Sequence, residues 1–147
     1  MTIEVNNLVK AKISQKFIRQ FIKKVLFFLK PKRVGDLEIS VAIVDQKIIR
    51  HWNKIYRGKN QTTDILSFSF GGEGIFKKKT TWQLIICWPA LLKQAKERGH
   101  SREMEFKTLL IHGILHILGY NHQKIKEAKR MAKIAAKILK HLRAVEK

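Results

Sequence analysis

Acidic side chains are scarce in this chain. Eleven Asp and Glu stand against thirty-one Lys and Arg over 147 residues, a formal charge of +20. A folded chain of this charge repels itself, and an anionic partner offsets that cost. Cysteine is nearly absent. The single thiol, Cys87, cannot close an internal disulfide, which excludes a disulfide-stapled scaffold and makes a reduced, cytoplasmic setting the expectation. Within the run Leu84 to Cys87 it reads as a small buried hydrophobe. Long apolar runs are missing too. Val25 to Leu29 is far too short to span a bilayer, and Met1 to Glu4 carries none of the pattern of a signal peptide. Repeats, low-complexity tracts and linkers are also lacking. The 45% hydrophobic content excludes a disordered chain. Residues 1–147 are therefore expected to form one domain around one core.

The basic excess says most about the partner. Nucleic acid is the first candidate for a chain so charged. Anionic membrane comes second, since no helix joins a basic face to boundary Trp or Phe in the manner of an interfacial anchor. A plain solubility effect is the remaining alternative.

Periodicity divides the chain into alternating strands and helices. Ile3-Glu4-Val5 opens an edge strand. Ser14 caps a helix from about Gln15 to Lys30, with Phe17, Ile18, Phe21, Ile22, Val25, Leu26 and Leu29 as its apolar stripe and Pro31 as its stop. Leu37 to Val44 alternates as a strand. Asp45 caps a second helix carrying Ile48, Ile49, Trp52, Ile55 and Tyr56, closed by Gly58. Ile65 to Phe70 is a third strand, stopped by Gly71-Gly72. A loop with Lys77, Lys78 and Lys79 follows, then a fourth strand from Trp82 to Cys87. Pro89 suits the first turn of a short helix ending near Gly99. Ser101 caps a helix to about Leu118, with Glu103 and Glu105 at its positive end. A last helix covers roughly Gln123 to Leu142, its apolar positions including Ile125, Ala128, Ala132, Ala135, Ile138 and Leu142. Interleaved strands and helices predict a small α/β layer fold.

Three of the six histidines fall within eleven residues, His112 to His122. His112 and His116 share one face of a helix, one turn apart. Gly119 offers a chain reversal that returns His122 toward the same point. Three imidazoles suit zinc and leave a fourth position for water, the mark of a catalytic rather than a structural site. His51, His100 and His141 stand apart and read as surface or packing residues. The spacing also echoes the metzincin run, in which a Glu follows the first His as general base of a protease. Gly113 holds that position here, which weakens a metallopeptidase reading and is expected to leave space beside the metal. A second constellation lies upstream, Asn53 to Gly58 and then Thr63 to Phe68. Its Arg57 could grip a phosphate through its fork of N–H donors, or be one more surface Arg. Thr63 and Asp64 could cap or turn the chain before the strand.

Together these two segments resemble the signatures of the rRNA maturation factor YbeY family of metal-dependent endoribonucleases. His112 to His122 is similar to His-Gly-x-Leu-His-Leu-x-Gly-Tyr-Asp-His, and Asn53 to Phe68 to Asn-x-x-Tyr-Arg followed by Thr-Asp-Val-Leu-Ser-Phe. The resemblance implies an α/β (α+β) fold in which a mixed four-stranded sheet is packed by about five helices. It implies one zinc ion on His112, His116 and His122 plus a water, with Arg57 and His116 as catalytic residues. It further implies cleavage of single-stranded RNA in rRNA maturation and ribosome quality control, in the cytoplasm. The partners would be rRNA and ribosomal particles, with a ribosomal protein or an assembly GTPase as candidate contacts and no membrane. Three departures stand out. Asn121 replaces an Asp beside the last histidine, Trp82-Gln83 replaces a Gly-Asp, and Thr62 and Ser69 replace prolines. An amide supports a metal-bound imidazole less well than a carboxylate does. A non-catalytic, metal-stabilised RNA-binding or assembly module is therefore the alternative function, and a metallopeptidase the third.

Overall fold

The computed structural model describes residues 1–30, 36–71, 79–119 and 125–146. Four strands form one mixed sheet: β1 (Thr2–Asn7), β2 (Asp36–Val44), β3 (Ile65–Gly71) and β4 (Lys79–Cys87), in the spatial order β1-β2-β4-β3. β1 and β4 both run parallel to β2, and β3 pairs antiparallel with β4. Five helices are present among the described residues: α1 (Gln15–Leu29), α2 (Gln46–Arg57), α3 (Trp88–Arg98), α4 (Arg102–Ile117) and α5 (Ile125–Glu146).

Strand alternation builds the core. Register places Ile39 beside Trp82, Val41 beside Leu84 and Ile43 beside Ile86, so these side chains share one face of the sheet. All are buried, under a layer that includes Phe21, Ile22 and Val25 of α1 and Leu110, Ile111 and Ile114 of α4. Burying each such aliphatic side chain contributes roughly 1.5–3 kcal/mol. The second face is covered only in part. There Ile49 of α2 packs on Val44, Ile85, Leu66 and Cys87 in a smaller cluster. Cys87 is free and buried, and burial pushes its thiol pKa up, so it is an inert core residue.

Local signals mark the helix ends as expected. Ser14, Asp45 and Ser101 accept N–H bonds three residues ahead, and Gly58 and Gly99 close α2 and α3 in the left-handed region. Lys30 ends α1 with φ of 43°, and Pro31 lies outside the described residues. Three details differ from the sequence expectation. β4 begins three residues early, at Lys79, because Thr80 and Thr81 continue both ladders. Ile55 and Tyr56 of α2 are exposed, since the helix buries only the side that carries Ile49 and Asn53. On α5, Met131 is buried and Ala132 exposed, with Ile134 and Leu139 packed on the core. A methyl stripe is too weak a signal to outweigh these larger side chains. Gly72, Lys77 and Lys78 lie outside the described residues. Among the described residues, no helix is long and apolar enough to cross a membrane.

Candidate functional site

Gly113 sets how closely α4 lies on the sheet. A Cβ at this position would meet Leu84 Cδ2 at 2.8 Å and Ile65 Cδ1 at 2.9 Å. The glycine therefore faces β3 and β4, and its missing side chain is filled by them. The expectation that it leaves space beside a metal is corrected: that space belongs to Leu84 and Ile65. The close approach has a consequence for the neighbouring turns. It brings His116 onto β3, where its Nδ1 lies 3.0 Å from Ser67 Oγ.

Ser67 is a cleft residue that reasoning from the sequence alone did not single out. It sits on the inward register of β3, two residues from Ile65, and is buried. A hydroxyl on a core-facing position needs a hydrogen-bond partner, and that requirement was the available signal. An imidazole whose Nδ1 is engaged presents Nε2 for other work. We expect Ser67→Ala to leave the fold intact and to lower zinc affinity about tenfold to a hundredfold. Competition with a chromogenic chelator would measure this, and unchanged affinity would show that the hydroxyl does not support the ring.

His112 and His116 are half-buried and line one cleft of about 210 Å³. Arg57 lines the same cleft from the end of α2, with Asn53, Lys59, Thr62, Asp64 and Ser67. The histidines of one signature and the arginine of the other thus meet across a long stretch of chain. Gly119, at φ of 102°, turns the chain after α4, and its N–H donates to the His116 carbonyl. His122 follows in the segment before α5 and lies outside the described residues. Among the described residues no three metal-binding side chains gather at one point. Two imidazoles one helical turn apart, one of them oriented by a hydroxyl, are nevertheless a donor pair suited to a first-row metal such as zinc.

The remaining walls are held by polar contacts. Asn53, 2% exposed, donates through Nδ2 to the Gln61 carbonyl at 2.9 Å, and Lys59 N–H donates to the Asn53 carbonyl. Arg50 Nε donates to Asn60 Oδ1 at 2.9 Å. Asp64 turns the chain into β3: its Oδ1 accepts from Ile65 N–H at 2.8 Å and from Thr63 Oγ1, and its Oδ2 accepts from Gln94. Arg57 and Lys59 thus set two cations against one carboxylate that is already hydrogen-bonded, a setting for an anionic ligand.

The isolated histidines behave as packing or surface groups. His141 packs on Phe28, His51 on Trp52, and His100 lies 3.9 Å from the buried carboxylate of Glu105. Glu105 points inward rather than solvating the start of α4. Arg98 donates to it at 2.8 Å, tying α3 to α4. Of the departures from the family signature, Trp82 is in the main core and Gln83 lines a groove on the opposite sheet face, so neither lines the cleft. Asn121 lies outside the described residues.

Sheet and cleft define an α/β protein with a cationic site furnished by histidine and arginine. The family model described as endoribonuclease YbeY matches residues 4–143. The chain is 41% identical over 123 residues to the endoribonuclease YbeY of Petrotoga mobilis, covering 83% of this chain and 81% of that one. It is 33% identical over 144 residues to that of Ureaplasma urealyticum, covering 97% and 92%. The solution structure of a Thermotoga maritima protein shares the fold, with a TM-score of 0.58 at 24% identity over 97% of this chain and 92% of that one. This chain belongs to the endoribonuclease YbeY family, and so to a class of hydrolases that act on RNA.

Proposed function

We propose that the chain is a zinc-dependent endoribonuclease that cuts single-stranded RNA during rRNA maturation and ribosome quality control in the cytoplasm. Its substrates would be rRNA and ribosomal particles, with a ribosomal protein or assembly GTPase among its contacts. The observation that carries the reading is the shared cleft, in which His112 and His116 stand on the same small cavity as Arg57. The names of the relatives supply the substrate class.

His112, His116 and His122 would hold the ion. Bound zinc supplies Lewis acidity and brings the pKa of a coordinated water toward 7. The protein's own residues do the positioning. Were Nε2 of His116 to hold the ion, the ring proton would sit on Nδ1 and that N–H would donate to Ser67 Oγ, 3.0 Å away. Arg57 offers paired N–H donors to the non-bridging oxygens of the scissile phosphate and stabilises the charge that grows on them in the transition state. Lys59 adds a second cation at the cleft rim. Surface Lys and Arg follow the RNA backbone, as the charge of +20 suits.

Incubation of labelled single-stranded RNA with the purified chain tests this. The parent is expected to cut it, chelation to stop cutting, and zinc to restore it. Arg57→Ala is expected to slow cleavage about 10²–10³-fold. Salt-sensitive RNA binding without cutting, in a chain shown by elemental analysis to be zinc-loaded, would replace this reading with the non-catalytic assembly module.

A further inference from the structure

The half-covered second face of the sheet carries a row of aromatic rings that the cleft chemistry does not use. Trp52 and Tyr56 of α2 stack at 5.4 Å with planes 22° apart. Tyr56 continues to Phe68 of β3 at 4.8 Å and to Phe70 at 6.4 Å. Tyr56 is 48% exposed and Phe70 46% exposed, costly positions for rings unless a partner covers them. A groove of about 240 Å³ runs along them, bounded by Ile48, Gln83 and Ile85.

Two observations select the occupant. The row is continuous with the cleft, because Arg57 lines the cleft and also holds its guanidinium carbon 5.9 Å from the centre of the Phe68 ring. The helix that carries half the rings holds Lys47, Arg50, Lys54 and Arg57 and no acid; at helical spacing these cations lie on the side away from Trp52 and Tyr56, and Arg57 at the helix end reaches round to Phe68. Exposed rings that lead to a cation beside the cleft bind the bases of a single strand by stacking while the cation takes a phosphate.

We propose that Tyr56 and Phe70 form a base-stacking platform for the nucleotides flanking the scissile phosphate of a single-stranded RNA. The platform rests on the reading of the cleft as an RNA-cleaving site and specifies how that site selects unpaired RNA: bases stacked within a duplex cannot reach the rings. Recognition by stacking is tolerant of sequence, since every base has a π-face.

Binding is measured with a fluorescein-labelled oligouridylate carrying 2′-deoxy substitutions, which prevent cleavage through that hydroxyl, and with a matching strand of abasic sites. Zinc is omitted to keep the strand intact. The parent is expected to bind the base-bearing strand more tightly and to show quenching of tryptophan fluorescence that a Trp52→Phe chain lacks. Phe70→Leu, which keeps an apolar side chain but removes the ring, and Tyr56→Ala are each expected to weaken that binding about tenfold. Neither should change binding of the abasic strand. Thermal melting confirms that the variants fold. Should Tyr56→Ala fail to fold, Phe70→Leu and the quenching signal carry the test alone. Equal affinity of the parent for both strands, or unchanged affinity in Phe70→Leu, overturns the proposal. So does a dimer or a protein complex that Phe70→Leu abolishes while RNA binding stays the same. A parent that shows base-dependent binding but never cuts RNA would sink the cleavage reading and leave the platform standing. Normal cleavage with parent-like RNA binding in Phe70→Leu does the reverse.

Discussion

His116→Ala is expected to lower cleavage of single-stranded RNA by about a thousandfold or more, equivalent to ~4 kcal/mol of barrier. The size follows from what this ring joins. Its Nδ1 lies against Ser67 Oγ, which leaves Nε2 for the proposed ion, and it shares the cleft with Arg57. Removing it takes away a proposed metal ligand and the side chain that joins α4 to Ser67 of β3. The loss should exceed that in Ser67→Ala, where the ring remains and only its orientation is relaxed. Folding should be little changed, because the ring is half-buried and lies at the cleft rather than in the core. Gel-resolved cleavage rates at saturating zinc, with a melting curve for each variant, check this. A His116→Ala chain that cuts at the parent rate would remove the histidines from the mechanism.

Gly113→Glu is expected to destabilise the fold by more than about 3 kcal/mol and to yield no peptidase. The glycine stands where metzincins carry their general base, so the exchange recreates their local sequence. The surroundings forbid it. Even a methyl group would press on Leu84 Cδ2 and Ile65 Cδ1 below 3.0 Å, and Leu84 is fully buried. A carboxylate there would be both overpacked and desolvated without a partner. Gly113→Ala separates the two terms. Overpacking of roughly 1–3 kcal/mol opposes a helix-propensity gain of about 1 kcal/mol, so a net loss of about 1 kcal/mol is expected. Urea denaturation of both variants measures these effects, and a Gly113→Glu chain as stable as the parent would show that the position faces the cleft after all.

Much of the architecture was legible in the chain. Ser14, Asp45 and Ser101 as caps, Gly58 and Gly99 as stops, and the period-two run of β2 are short-range signals, complete within a few residues. The basic α5 was less so: Ile138 and Leu142 are buried as expected, but Met131 rather than Ala132 is the buried residue of the earlier turn, and helix periodicity built on alanines does not separate the two. The exposure of Tyr56 was equally hidden, because an aromatic at helical spacing looks like core until the side that the helix buries is known.

The site divides the same way. The residue types of the histidine run and the arginine segment, their spacing and the charge of the chain are covalent facts, and they sufficed to name candidate ligands and an anionic substrate. Three things depended on the packing of distant elements: that Arg57 and the two described histidines share one cavity, that Ser67 meets His116, and that Gly113 is spent on the sheet rather than on the metal. Sequence encodes each side chain's chemistry and local conformation, whereas contact between α2, β3 and α4 exists only once burial of their apolar faces has brought them together.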